Sequence, residues 1–458
     1  MAGTADRSPD DAVARKAIAA ASFGNAMEWY DFSVYAFFAS YLAQNFFRPG
    51  DPTSALISTF VVFGAGFVAR PLGAVVIGSY GDRVGRKAAL VLSIATMGAG
   101  ILILAVAPPY AVLGLGAPLL LLVGRLLQGF SAGGEIGGAA AFMIEHAPVD
   151  RRASYASWLQ ASMGIANLMS AVVGLAITTV FDESTVTEWA WRIPFVLGLL
   201  IIPVGFYTRR RLPEPTPFER SREQAERSRS REQAVAGHRR DDPLRRLLAE
   251  HLGTLLLGFL FSVLWTVAVY AFVIYLPTYY RSAAVGLGFT ARQSFLATVV
   301  GNVVLIAGCL LAGRLADRVG AKRVVLGGAA ALLVVPLPCL LWLHAQPSTP
   351  VLLVVHTLLS ATVAVFVGVA PATLPMAFPV AVRSTGTALS YNVAAIFFAG
   401  FTPALMTWAT ARLTGYAPAL WVALGALVCL ASAPALFRRI DEVGRVNARS
   451  LQIDDQIV

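Results

Sequence analysis

The chain has 458 residues, of which 57% are hydrophobic and only 14% are charged, with a mean hydropathy of +0.67. Soluble globular proteins carry about 25% charged residues, so this composition excludes a soluble enzyme, a nucleic-acid-binding protein and a secreted disulfide scaffold. The net charge of +10 would suit a nucleic acid, but the long apolar runs make orientation in a bilayer the better explanation. We therefore expect an all-α polytopic membrane protein.

In chain order, the first predicted element is a polar N-terminal segment, 1–17. The apolar run that follows is longer than the core of a signal peptide, which predicts a retained first helix. Apolar runs of bilayer-crossing length then recur to the end of the chain, separated by turns rich in Pro and Gly. They predict twelve transmembrane helices, at 18–44, 54–80, 88–108, 117–146, 153–180, 191–208, 248–280, 292–315, 322–343, 350–378, 384–411 and 417–437.

The distribution of Lys and Arg predicts the orientation of these helices. With the N-terminus inside, the cytoplasmic segments hold 29 basic residues and the outer loops hold five. Basic residues concentrate on the cytoplasmic side of membrane proteins, so both termini are predicted to be cytoplasmic. The five outer residues are Arg48, Arg192, Arg281, Arg292 and Arg412.

An internal repeat divides the chain in two. The string GSYGDRVGRKAAL begins at Gly78, and GRLADRVGAKRVV begins at Gly313 in the equivalent loop. The repeat predicts two pseudo-symmetric six-helix bundles, with the substrate site between them near mid-bilayer. The expected divisions are the N-terminal bundle 18–208, a cytoplasmic Arg-rich linker 209–247, the C-terminal bundle 248–437 and a cytoplasmic tail 438–458.

Five charged residues fall well inside the apolar runs. A charge at membrane depth is costly unless it is paired or hydrated, so each is a functional candidate. Helical rise places Asp31 and Arg125 at similar depths in the membrane, which predicts that these two side chains meet. The five residues are Glu28, Asp31, Arg70, Arg125 and Glu135.

The repeated loop is typical of the major facilitator superfamily, and the whole chain resembles it. More narrowly, the chain resembles the bacterial metabolite:proton symporters, which carry citrate and tricarballylate, 2-oxoglutarate, shikimate, and proline or betaine. The motifs that carry this resemblance are GNAMEWYDF (24–32), ARPLG (69–73), RLLQGFSAGGE (125–135) and WRIPF (191–195). The stretches that look most like the tricarboxylate carriers are YASWLQAS (155–162), RRRLPEPTPF (209–218) and FAGFTPALMTW (398–408).

The resemblance implies a proton-coupling pair. Superfamily sugar–proton symporters pair an aspartate of the first helix with an arginine of the fourth, and these positions fall on Asp31 and Arg125. Protonation of Asp31 would release Arg125 to receive a carboxylate substrate, whereas a static ion pair is the structural alternative. Glu28 either shares the proton role or holds its helix to a neighbour. Glu135 is a proton exit step or a structural partner, and Arg70 is a second anion contact or part of the gate packing.

Other polar and aromatic residues are candidates to line the substrate cavity, although each could instead be core or lipid-facing. Gln160 and Asn167 lie seven residues apart on one helical face and resemble substrate contacts of the sugar symporters. The remaining candidates are Gln128, Trp265, Tyr270, Tyr275, His356, Tyr391 and Asn392.

Charged residues of the cytoplasmic loops are predicted to latch the two halves together at the inner face. The second half carries Met376 where the symmetric latch would need an acidic partner for Arg383, so the latch is expected to be asymmetric. The predicted gate residues are Asp82, Arg83, Arg86, Glu145, Arg152, Asp317, Arg318 and Arg383.

The function predicted from these features is proton-coupled symport of a small organic anion, a citrate-like di- or tricarboxylate, by alternating access in the bacterial inner membrane. The alternative is symport of a zwitterionic osmolyte such as proline or glycine betaine, although the tail shows no coiled-coil heptads. Five scattered histidines and the lack of a Walker loop argue against an enzyme or an ATP-driven pump. We expect a monomer that needs the lipid bilayer, protons and a substrate, with no cofactor or metal.

Overall fold

The computed structural model describes residues 22, 25–27, 29–84, 86–133, 135–145, 147–199 and 243–454, and all regular secondary structure among them is helical. Eight helices in this part of the chain are long and apolar enough to cross a membrane, and three shorter apolar helices accompany them. The predicted segment 1–17, the linker up to residue 242 and the last four residues of the tail lie outside the described residues.

The N-terminal half, up to residue 199, begins with helical residues that pass through a turn at Phe38. A short 3₁₀ turn, Val149–Arg151, directly precedes a helix of 29 residues, Arg152–Val180. The helices are α1 (29–37), α2 (Ala39–Phe46), α3 (Pro52–Val84), α4 (Arg86–Val106), α5 (Tyr110–Leu113), α6 (Gly116–Ser131), α7 (Glu135–Glu145), α8 (Arg152–Val180), α9 (Glu183–Glu188) and α10 (Ala190–Leu199).

The C-terminal half, from residue 243, has two helices that contain π-helical stretches, Val269–Tyr275 and Ala395–Ala399. Such stretches interrupt the regular hydrogen-bond ladder and are frequent at functional sites. The helices are α11 (Pro243–Glu250), α12 (Leu252–Arg281), α13 (Ala291–Val319), α14 (Ala321–Ala345), α15 (Thr349–Met376), α16 (Val380–Arg412) and α17 (Ala417–Asp454).

The clearest differences from the predicted helix bounds concern two helices. The predicted helix 117–146 is interrupted between α6 and α7, because the glycines that follow Ala132 disfavour a continuous helix. The predicted end at 437 marks only the end of the apolar run, since α17 continues to Asp454. An ion pair of 2.8 Å between Arg439 and Glu442, three residues apart, stabilises this polar extension.

Glycines bring α3 and α6 into backbone contact. A Cβ on Gly129 would overlap the carbonyl oxygen of Gly66, and one on Gly73 would overlap that of Phe130. Only glycine permits this approach, which is typical of helix pairs packed within a membrane. The contact sets α3 and α6 against each other at the depth of their buried arginines.

The two halves meet along two pairs of long helices. On one side α8 packs along α13, where the ring of Phe295 lies directly over Gly174. On the other side α3 packs against α16, where Phe401 lies over Gly64. The predicted substrate site between the halves would therefore lie between these two packed helix pairs.

The start of α3 is fixed by a side-chain cap. Asp51 precedes Pro52, the first residue of the helix, and accepts hydrogen bonds from the Thr53 and Ser54 backbone N–H groups, each at 3.1 Å. The hydroxyl of Ser54 also donates to Asp51 at 2.6 Å. These bonds, that of the Ser54 hydroxyl first, hold the pKa of Asp51 below its usual range.

Candidate functional site

Two arginines lie buried in a cluster of aromatic rings. The Cζ atoms of Arg70 on α3 and Arg125 on α6 lie 4.7 Å and 4.4 Å from the centroid of the same ring, that of Phe32 on α1. Arg70 also lies 4.3 Å from the Phe67 ring, and Arg125 lies 4.7 Å from the Phe63 ring. Cation–π contacts stabilise these guanidiniums without using their N–H donors.

Several polar groups in this cluster have no hydrogen-bond partner among the described residues. They include Nε of Arg70, Nε and Nη2 of Arg125, the hydroxyl of Tyr270 and Nε2 of Gln128. Nη1 of Arg125 donates to Oε1 of Gln128 at 2.7 Å. An unbonded buried donor is costly, so a set of them near two positive charges is suited to an anionic ligand.

Asp31 on α1 is buried beside this cluster, with a relative accessibility of 3%. Its Oδ2 has no partner, and no ion pair joins it to Arg125 among the described residues. An ion pair between these two side chains is thus not formed in this conformation, and their predicted pairing stays a prediction. We call Asp31, Arg70, Arg125 and Gln128 the charged centre.

Hydrogen bonds of α8 side chains reach helices of both halves. Gln160 accepts a hydrogen bond of 3.1 Å from Nε1 of Trp265 on α12. The Trp265 ring lies edge-on to Tyr391 on α16, with centroids 4.9 Å apart. Asn167 accepts a hydrogen bond from Ser33 on α1. These four predicted cavity residues are therefore buried, and Gln160 and Trp265 join the two halves.

The other predicted cavity residues have different neighbours. Tyr270 lies 5.5 Å from the Phe67 ring, centroid to centroid, and so belongs beside the charged centre. Tyr275 shares a hydrogen bond of 3.1 Å with Thr410. The Nδ1 of His356 shares one of 2.9 Å with the Tyr280 hydroxyl, which joins helices of the C-terminal half. Asn392 is half-buried beside Tyr391.

One end of the molecule, which we call the Glu145 end, is closed by contacts between the halves. Arg383 on α16 forms an ion pair of 3.5 Å with Glu145 on α7. Asp317 on α13 accepts hydrogen bonds from the backbone N–H groups of Ala153 and Ser154, at 2.9 and 3.0 Å, and from the Ser154 hydroxyl. Asp317 therefore caps α8 of the other half, where a carboxylate complements the helix dipole.

Arg152 and Arg318, two further predicted gate residues, take no part in these contacts. Arg318 is exposed on the wall of a cavity of about 1040 Å³ beside α8 and α13. Arg152 is half-buried, and its Nε has no partner among the described residues. Glu28 and the side chains of Glu135, Asp82, Arg83 and Arg86 lie outside the described part of the chain.

The opposite end, which we call the Arg281 end, carries a contact that sequence reasoning missed. Arg281 at the end of α12 forms an ion pair of 2.9 Å with Glu183 on α9. The Tyr41 hydroxyl donates to the same carboxylate at 3.3 Å, and the Arg281 Cζ lies 4.6 Å from the Tyr41 ring. The sequence indicated only that Arg281 is one of five arginines in the outer loops. Its partner Glu183 lies 98 residues away in sequence, so no local pattern indicates the contact.

The helical bundle, its buried charged centre and the contacts that close both ends define a polytopic membrane transport protein. The sequence profile of the family described as "Sugar (and other) transporter" matches residues 17–435. The chain belongs to this family and, with it, to the major facilitator superfamily.

Known proteins with similar sequences are bacterial transporters. A citrate-proton symporter of Salmonella typhi is 35% identical over 427 residues, which cover 93% of this chain and 94% of that protein. A citrate-proton symporter of Klebsiella pneumoniae is 34% identical, with 92% of each chain covered. A proline/betaine transporter of Escherichia coli K12 is 32% identical, over 87% of this chain and 78% of that protein.

Solved structures agree in fold. A crystal structure of a D-xylose-proton symporter superposes with a TM-score of 0.68 at 18% identity, over 91% of this chain and 97% of that one. A partially occluded, inward-open xylose transporter of E. coli gives 0.69 at 18% identity, over 92% and 97%. At this identity the likeness establishes the shared fold.

Proposed function

We propose that the protein is a proton-coupled symporter of small organic anions of the di- or tricarboxylate class. The observation that carries this proposal is the charged centre, in which two buried guanidiniums keep unbonded donors next to a buried carboxyl group. The sequence similarity to citrate-proton symporters supports the same substrate class.

The two arginines suit a substrate with more than one carboxylate. Both guanidiniums rest on the Phe32 ring, so a small polycarboxylate placed there reaches Arg70 and Arg125 together. A guanidinium binds a carboxylate through two parallel N–H bonds, which is stronger and more specific than a point charge. Tyr270 and Gln128 supply further unbonded donors for the remaining oxygens.

Asp31 is proposed to carry the coupled proton, with Glu28 as the alternative carrier. A buried carboxylate oxygen without a hydrogen bond is costly when the group is ionised, and Oδ2 of Asp31 has no partner among the described residues, so the arrangement seen here suits the neutral, protonated form of Asp31. In that form Arg125 is available to the substrate. When the proton leaves, Asp31 can pair with Arg125 in place of the substrate, which couples release of the two.

A zwitterionic osmolyte is the second candidate, because the chain is also similar to proline/betaine transporters. Aromatic rings around the charged centre resemble the cages that bind quaternary ammonium groups. However, guanidiniums already occupy positions over the Phe32, Phe63 and Phe67 rings, which favours an anion over a cation.

The proposed architecture is twelve transmembrane helices in two six-helix bundles, with both termini and the Glu145 end in the cytoplasm and the Arg281 end outside. The location of 29 of the 36 basic residues in the inner segments supports this orientation. Alternating access would then open one end while the contacts at the other stay closed. The protein is proposed to work as a monomer without a cofactor or metal.

The test is uptake into proteoliposomes of radiolabelled citrate, 2-oxoglutarate and glycine betaine, with and without an inward proton gradient. We expect gradient-stimulated uptake of a carboxylate by the natural protein. Asp31→Asn should abolish the stimulation while substrate exchange without a gradient persists, because the neutral amide mimics the protonated acid. Betaine uptake alone would contradict the anion assignment.

A matched control is Asp441→Asn, an exposed aspartate on the polar extension of α17. This variant loses the same charge and should transport like the natural protein. If Asp31→Asn kept full gradient-driven uptake, the assignment of coupling to this residue would be wrong, and Glu28 or Glu135 would take its place.

A further inference from the structure

The ion pair at the Arg281 end joins the two halves of the chain. Arg281 ends α12, whereas Glu183 and Tyr41 belong to α9 and α2 of the N-terminal half. Both oxygens of Glu183 are engaged, Oε1 by Arg281 at 2.9 Å and Oε2 by the Tyr41 hydroxyl at 3.3 Å. The contact therefore holds the end of α12 against α2 and α9.

Arg281 also lines a cavity at the same end, which we call the vestibule. The vestibule has a volume of about 430 Å³, and its wall includes Arg48 and Thr407. Its acidic residue, Asp51, is already bonded to the start of α3. Asp51 keeps its negative charge, and Arg48 and Arg281 outweigh it by one positive charge, which makes the vestibule attractive to anions.

The exposure of the two partners shows which of them an incoming ligand can displace. The Glu183 side chain is 59% exposed, whereas that of Arg281 is only 13% exposed. Arg281 contacts Glu183 through Nη2 alone, so its bidentate face is not satisfied by this partner. A carboxylate entering the vestibule can therefore compete with Glu183 for a guanidinium that stays in place.

We infer that the vestibule is a first docking site for carboxylate substrates, in which a substrate carboxylate replaces Glu183 on Arg281 and releases α12 from α2 and α9. This inference rests on the proposed function, since it requires that the substrate be an anion. It assigns Arg281 a role in substrate selection before the substrate reaches the charged centre.

The path from the vestibule to the charged centre runs along α12. Between them, aromatic side chains of α12 pack on α3: Tyr275 against Phe60 and Tyr270 against Phe67, with centroids 6.0 and 5.5 Å apart. Both tyrosines lie in the π-helical stretch Val269–Tyr275, a departure from the regular α-helix of the kind that is frequent at functional sites. Release of Arg281 lets this part of α12 withdraw from α3 and opens the path inward.

The experiment compares Arg281→Gln and Glu183→Gln in proteoliposomes that take up the radiolabelled carboxylate. Arg281→Gln should raise KM about tenfold with kcat changed less than twofold, because one charge-assisted contact to the arriving anion is lost. Glu183→Gln should leave KM unchanged or lower it, because it removes the competitor. Equal shifts of KM in the two variants would show that the ion pair only holds the halves together and does not bind substrate, which would overturn the inference.

The matched control is Arg292→Gln, an exposed arginine at the start of α13 on the same face. It should keep the natural KM; a rise equal to that of Arg281→Gln would reduce the effect to general surface charge and overturn the inference. Thermal melting checks that each variant is folded.

The charge-exchanged double variant Glu183→Arg, Arg281→Glu separates docking from locking. It restores an ion pair between the halves but leaves an acid where the anion docks, so KM should stay raised. A natural KM in this variant would overturn the inference. If the natural protein takes up no carboxylate, both the proposed function and the docking site are wrong. If it takes up a carboxylate but the variants lack the predicted KM differences, only the docking site is wrong.

Discussion

Phe32 is the residue on which the two buried guanidiniums rest. Its ring lies 4.7 Å from the Cζ of Arg70 and 4.4 Å from that of Arg125, so it spaces two like charges that would otherwise repel. The cation–π contacts leave the N–H groups free for a ligand. A lysine at either position keeps the charge but loses the planar fork and its stacking on the ring.

We therefore expect Arg125→Lys and Arg70→Lys each to reduce kcat/KM for the carboxylate about tenfold or more, since a bidentate contact becomes a single one. Initial uptake rates over a range of substrate concentrations measure the effect. The control is Arg292→Lys, which should be neutral. If Arg70→Lys alone transported normally, the second anion contact would be excluded and Arg70 would be a packing residue.

At the residue level, the sequence allowed the charged centre to be predicted because charge inside an apolar run is rare and costly. Asp31, Arg70 and Arg125 stood out for that reason, and all three are buried in the structure. Arg281 and Glu183 did not stand out, because both lie at the ends of helices where charge is ordinary. Their significance comes from a contact between distant segments, which no periodicity indicates.

Among the elements, the pair formed by α3 and α6 sets the spacing of the two arginines. Gly66 and Gly129 bring the two backbones into contact between the positions of Arg70 and Arg125. A side chain at this contact would push the helices apart, because rigid backbone rather than a flexible side chain lies opposite. The charged centre therefore depends on glycines that themselves carry no chemistry.

Gly129→Ala should destabilise the protein by about 1–3 kcal/mol, the usual cost of overpacking, and should also weaken substrate uptake. Thermal melting in detergent and transport assays measure the two effects. The matched control is Gly78→Ala on α3, where a Cβ would meet nothing within 4 Å. A natural melting temperature for Gly129→Ala would show that the helices separate without cost and would contradict this packing.

The helix bounds could be predicted only where apolarity and helicity end together. They do so for α14, predicted at 322–343 and found at Ala321–Ala345. Hydropathy gave no sign that α17 continues as a polar helix, because hydropathy measures burial in lipid rather than backbone conformation. The π-helical stretches of α12 and α16 could not be predicted either, since hydropathy does not distinguish a π-helix from an α-helix.

At the scale of the whole molecule, the two ends are closed by different kinds of contact. The Glu145 end uses an ion pair and a carboxylate that caps a helix of the other half. The Arg281 end uses one ion pair supported by a tyrosine hydroxyl. The sequence repeat predicted a latch at the Glu145 end. The latch was expected to be asymmetric, because Met376 stands where an acidic partner for Arg383 would be needed. In the structure Arg383 pairs with Glu145 of the other half.

These contacts set the balance between conformations, so weakening one end should open that end. Asp317→Asn leaves the start of α8 without its carboxylate cap, and Glu145→Gln leaves Arg383 without its partner. Each loss is expected to shift the equilibrium by about 1 kcal/mol, roughly fivefold in population, because the groups are partly exposed. The two effects should add, since they act on separate contacts.

Distances between spin labels at Arg151→Cys and Lys322→Cys, exposed positions on opposite halves at the Glu145 end, measure this opening. The three native cysteines are buried and free, so the labels should attach at the introduced sites. We expect Asp317→Asn and Glu145→Gln to enlarge the population with the longer distance, and Asp441→Asn to leave it unchanged. If both variants kept the distance distribution of the natural protein, closure of this end would depend on the packing of α8 on α13 rather than on the charged contacts. Asp317 would then act only as a helix cap.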